Sequence, residues 1–159
     1  MGKISKMIAI SALALTLYSG ACIVLNAFVG LSNEERLSVG QARELIALEQ
    51  ERPYLRGRKV NFIPLGDDPL FGEGLGGLSY SSGRGFDILM DQDHIYKKLL
   101  LHEIGHAIIS RFKKGENHTL EEALKYINNP PLKTSIKDVI GYALSPEEFF
   151  CNAYALLHK

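Results

Sequence analysis

The sequence carries no surplus of either charge: Lys plus Arg and Asp plus Glu number 18 each. A nucleic-acid-binding domain usually shows a basic excess, so no nucleic-acid partner is expected. Cysteine is scarce. Cys22 lies inside an apolar run and Cys151 near the C-terminus, a pair from which no disulfide framework can be built. There is no internal repeat at a fixed period, which excludes solenoids and propellers. Charge is also missing from one long stretch: after Lys3 and Lys6, the next charged residue is Glu34.

That stretch contains the apolar run 7–29, "MIAISALALTLYSGACIVLNAFV". A bilayer core takes about 20 helical residues, whereas the apolar part of a cleaved signal peptide is about 7–15 residues long. The length favours an uncleaved anchor, with a signal peptide as the alternative. Residues 1–32 are therefore read as a signal-anchor or signal peptide and residues 33–159 as the functional domain. The two lysines precede the run and "NEER" follows it. The positive-inside rule then puts the domain on the extracytoplasmic side, membrane-anchored or secreted.

The chain of 159 residues allows one domain beyond this segment. Residues 38–52 open with Ser38 as N-cap and place Ala42, Leu45, Ile46 and Leu48 at helical spacing. "KVNFIPL", residues 59–65, reads as a short strand, with Pro64 suited to an edge. Six glycines fall between Gly72 and Gly85, and "GLSYSS" and "FDILM" fit two strands around the turn "GRG". From Asp93 the chain reads as helices over 93–114, 119–129, 135–144 and 145–159. Helix, strands, then helices predict an α+β fold: a small domain with a short sheet or hairpin, an active-site helix and C-terminal helices behind an N-terminal membrane helix.

The chemistry lies in "KKLLLHEIGHAIISRF", residues 97–112. On a helix His102 and His106 stand one above the other and can share a tetrahedral ion. Glu103 lies about 100° round, placed to take a proton from attacking water and pass it to a leaving amine. The helix is apolar elsewhere, so it is a core helix, and buried histidines and a glutamate there need partners. Gly105 weakens the helix by about 1 kcal/mol, which is tolerable if something packs closely against it. His94, His118 and His158 read as solvated side chains. The longer motif HExxHxxGxxH is missing, because Ile109 and Phe112 stand where it needs Gly and His.

Two histidines need a third ligand. Glu147 shares its helix face with the bulky Phe150 and Tyr154, Glu148 with Cys151, Asn152 and Ala155. The smaller, more polar face suits an ion better. A competing role is equally natural, since Ser145 with Glu148 at N3 makes a capping box. The residues alone leave both open.

"HEIGH" followed some 40 residues later by "EEFFCNAYALL" resembles the gluzincin zinc peptidases of the anthrax lethal factor catalytic-domain type and the Pro-Pro endopeptidases. Their second motif is similar to E-F-F-A-E-A-F, and its first glutamate is the third zinc ligand. The resemblance, over about residues 58–158, implies that Glu148 is the metal ligand beside His102 and His106. It implies one Zn2+ per chain, Glu103 as catalytic base, and Tyr142 as donor to the oxyanion. It also implies a peptide or protein substrate added as an extended strand to the sheet edge before the active helix. Asn152 replaces the family's second glutamate, and the Tyr142 spacing is one residue short. These departures support an alternative expectation: a catalytically inactive, membrane-tethered binding module that keeps the fold.

Overall fold

The computed structural model describes residues 3–31, 35–66, 77–110, 112, 119, 121 and 144–158. Within them the protein is a small α+β structure of four helices and one three-stranded sheet. The helices expected over 119–129 and 135–144, and Tyr142 and His118, fall wholly or mostly outside the described residues.

Helix α1 (Lys3–Leu31) contains the apolar run. Its described side chains are those of residues 10–25. Among the described residues no helix is long and apolar enough to cross a membrane, so a span over 7–29 remains an expectation. The hydroxyls of Thr16 and Ser19 bond back to Ala12 O and Leu15 O within the helix. Tyr18 donates to Leu144 O at 3.0 Å and its ring lies 5.6 Å from that of Phe149.

Helix α2 (Val39–Gln50) begins at the expected N-cap. Ser38 Oγ accepts from Gln41 N–H, and Gln41 Oε1 accepts from Ser38 N–H at 2.8 Å. This reciprocal pair satisfies two otherwise orphaned donors. Ala42 and Ile46 turn inward, and the helix stops before Pro53.

The sheet has the order β1-β3-β2. Strands β2 (Gly77–Ser82) and β3 (Gly85–Asp91) form the expected antiparallel hairpin, and β1 (Val60–Leu65) adds parallel to the other side of β3. Pro64 is tolerated because β1 is an edge. Gly85 makes this arrangement possible. At its φ of +138° a Cβ would stand 2.2 Å from Lys59 O, and the adjacent Phe86 N–H donates to that same carbonyl. Strand alternation sends Phe86, Ile88 and Met90 to one face, where they join Val60 and Phe62 in the main core.

Helix α3 (Lys97–Ile109) covers that face with Leu100, Leu101, Ile104, Ala107 and Ile108. It starts four residues later than the sequence suggests. The Asp91 carboxylate accepts from Asp93 N–H and His94 Nδ1 at 2.8 Å each, which holds a turn there. Tyr96 then bridges to Arg36, so the chain is still extended when it reaches Lys97.

Helix α4 (Pro146–Leu157) crosses α3. Its far end is tied to α2. Buried Glu49 accepts from Tyr154 OH and from Arg52 Nε at 2.9 Å. Tyr54 OH bridges Tyr154 OH and His158 Nε2 at 3.1 and 3.2 Å. His158 is thus no freely solvated side chain: its ring stacks on Tyr154 at 3.9 Å between centroids. Burial, and then the hydrogen bond to Glu49, pushes the Tyr154 phenol far above its ordinary value.

Candidate metal centre

The centre forms where α3 and α4 touch most closely. Gly105 makes the close approach possible. A Cβ there would come within 2.9 Å of Cys151 Cα and 3.1 Å of its Sγ. The packing expected against this glycine is therefore α4 itself, with small Cys151 at the contact. Burial pushes the Cys151 thiol up, against the opposing pull of its hydrogen bond to His106.

Glu148 lies one helical turn before Asn152 and faces the two histidines. Its Oε2 is 3.2 Å from His102 Nε2, and its Oε1 is 3.3 Å from His106 Nε2. The two Nε2 atoms are 3.2 Å apart. His102, His106 and Glu148 can thus each offer one ligand atom to a common ion. All three are largely withdrawn from solvent, Glu148 to 4% exposure.

The rest of α4 holds the imidazoles from behind. His102 Nδ1–H donates to Asn152 Oδ1 at 2.8 Å, and His106 Nδ1–H donates to Glu147 Oε1 at 3.0 Å. Each ring has its Nδ1 proton taken and turns Nε2 inward, the arrangement that metal-binding histidines use. Two imidazole nitrogens and one carboxylate oxygen leave a fourth position for water or substrate around a tetrahedral ion. The residues present therefore fit a divalent ion.

Without the ion, this cluster holds a proton. Burial pulls His106 down, but hydrogen bonds to Cys151 and Glu148 outweigh it and push it up to about 11. Burial pulls Glu148 up, and its bonds to His102 and His106 outweigh that and bring it to about 2. A cation entering the site replaces that proton.

Glu103 points elsewhere. It is buried at 6% exposure and accepts a hydrogen bond from Ser79 Oγ on β2. Gly77, also on β2, lies against the same carboxylate, where a Cβ would stand 3.4 Å from Glu103 Oε1.

The structure thus brings together His102, His106 and Glu148, turns Glu103 toward Ser79 on β2, and leaves Tyr142 outside the described residues. The capping box anticipated for Glu148 does not form. Ser145 Oγ accepts instead from Glu147 N–H at 3.2 Å, and the Glu148 carboxylate is spent on the histidines. Three roles were not legible beforehand. Glu147, weighed only as a rival ligand, orients His106. Asn152, a departure from the family pattern, supplies an amide oxygen to His102. Ser79 had no assigned role, and only the strand register reveals it.

No protein-family model, no curated protein and no solved structure matches the chain.

Proposed function

We propose that the chain is a zinc endopeptidase, anchored through residues 7–29 with its domain on the extracytoplasmic side. One observation carries the reading: two outward-tethered imidazoles and a carboxylate converge on one point, with a second buried carboxylate on the adjacent helix position. Two histidines and a glutamate are the donor set of catalytic zinc in peptidases. Zinc bound there would polarise a peptide carbonyl and acidify a water molecule. Glu103 would take the proton of that water and return it to the leaving amine. The resemblance to the lethal factor type assigns Tyr142 to the oxyanion. The substrate would be an extended segment of a peptide or protein laid along β2, which pairs with β3 alone among the described strands.

The inactive alternative rests on Asn152 and on the Tyr142 spacing. At Asn152 an amide oxygen accepts the His102 Nδ1–H as a carboxylate would, which removes the first of these grounds; Tyr142 lies outside the described residues. The anchor rests on the apolar run 7–29 itself. On α1, Ile10, Leu13, Leu15, Leu17, Ile23 and Val24 are 52–67% exposed and the Thr16 and Ser19 hydroxyls bond within the helix, while Tyr18, midway along the run, lies against Leu144 and Phe149.

The test is to incubate the detergent-solubilised full chain, loaded with zinc, with a peptide library, with and without chelator. Cleavage that chelation abolishes and zinc restores supports the reading. A zinc-replete chain that cleaves no peptide refutes it.

A further inference from the structure

We propose that Ser79 is a positioning residue for Glu103, so that the strand expected to receive substrate also sets the orientation of the general base. The proposal rests on the peptidase reading and deepens it.

Ser79 pairs with Ile88 and Gly77 with Met90. Ile88 and Met90 face the main core beneath α3, so Gly77 and Ser79 face α3 as well. There they meet Glu103. A Cβ at residue 77 would lie 3.4 Å from both Glu103 Cγ and Oε1. Ser79 Oγ donates to Glu103 Oε2. Consecutive inward positions of β2 thus lie against Glu103, Gly77 at contact distance and Ser79 through its hydroxyl.

Glu103 needs such a partner. A buried carboxylate without a donor is costly, and among the described residues Ser79 is the one side chain that donates to it. A glutamate has three side-chain torsions, and a base must sit within hydrogen-bond reach of the proton it takes. Fixing Oε2 on Ser79 leaves Oε1 as the oxygen free to meet water. Among the described strands β2 is an edge. Any segment that adds to it shifts or stiffens Ser79, and through Ser79 the base. Substrate binding and base orientation are therefore coupled by one hydrogen bond.

The test uses the full chain in detergent, zinc-loaded, with a peptide that the wild type cleaves. Ser79→Thr and Ser79→Val are the decisive pair, because they have nearly the same shape, suit a strand equally, and differ in the hydroxyl. Ser79→Val should keep its zinc and its KM, and lose kcat about tenfold to a hundredfold, the scale of a lost hydrogen bond to a charged group. Ser79→Thr should keep most of the wild-type kcat. A role in merely holding β2 in place would raise KM, or would slow both variants alike. A Val variant with wild-type kcat, a rise in KM alone, or a Thr variant as slow as Val overturns the proposal while leaving the peptidase reading intact. A wild-type chain that cleaves nothing overturns both.

Discussion

Glu147 and Glu148 are neighbours of identical chemistry, and the structure gives them different work. Glu148 puts both carboxylate oxygens against imidazole Nε2 atoms, at 3.2 and 3.3 Å, on the side where an ion would sit. Glu147 holds His106 from the far side, at 3.0 Å from Nδ1. Substituting each by glutamine keeps shape and removes charge. In Glu148→Gln the ion loses its one anionic ligand in a nearly dry site. Removing one partner of a buried charge pair costs about 3–5 kcal/mol, and at about 1.4 kcal/mol per power of ten zinc should bind about two to four powers of ten more weakly. In Glu147→Gln the amide oxygen can still accept from Nδ1–H. Loss of an outer partner costs about 10–100-fold, and this variant should sit near the lower end. Competition with a chromophoric chelator at fixed pH measures both, and circular dichroism checks that both remain folded. If Glu147→Gln weakens zinc more than Glu148→Gln does, the assignment of ligand and outer partner is reversed.

Zinc affinity should rise about tenfold per pH unit between about pH 6 and 8, because the ion displaces the proton shared by His106 and Glu148; a pH-independent affinity would exclude such a proton. In the metal-free chain the raised His106 stabilises the fold fully below its ordinary 6.5, and that contribution fades as pH climbs toward about 11. The lowered Glu148 stabilises it fully above its ordinary 4.5, and that contribution fades toward about 2. Urea melts of the metal-free chain should therefore be most stable between those two ordinary values, and the preference should flatten with zinc present. Gly105→Ala should lower the melting temperature despite the better helix propensity, since overpacking costs about 1–3 kcal/mol and the clash is with Cys151 backbone; a higher melting temperature would contradict the tight crossing. Tyr154→Phe removes a donor from buried Glu49 and should destabilise the fold by about 1.5–3 kcal/mol in the same melts.

Local signals were legible in the sequence wherever one segment carries its own signature. The Ser38 cap, the hairpin of β2 and β3, the edge proline of β1 and the paired histidines each follow from a few adjacent residues. What was not legible depends on distant segments meeting. The parallel addition of β1 to β3 rests on Gly85 yielding room to Lys59, 26 residues away by number. The late start of α3 comes from Asp91 and from the bridge of Tyr96 to Arg36. The same holds within the site. Gly105 announced a close contact but not its partner, and the choice between a cap and a ligand for Glu148 was decided by where the histidines stand. Asn152 read as a loss because its residue type departs from the pattern, whereas its position keeps the hydrogen bond.

The proposed function has zinc on His102, His106 and Glu148, with Glu103 as base, hydrolysing peptides. Its most direct test measures zinc content and peptide turnover on the same preparations of the wild-type chain and of Glu103→Gln. The amide matches the carboxylate in shape but cannot accept the proton of water. About one zinc per chain is expected in both, with cleavage by the wild type alone. A Glu103→Gln chain that cleaves at the wild-type rate, or a wild-type chain that takes up no zinc on refolding, would contradict it.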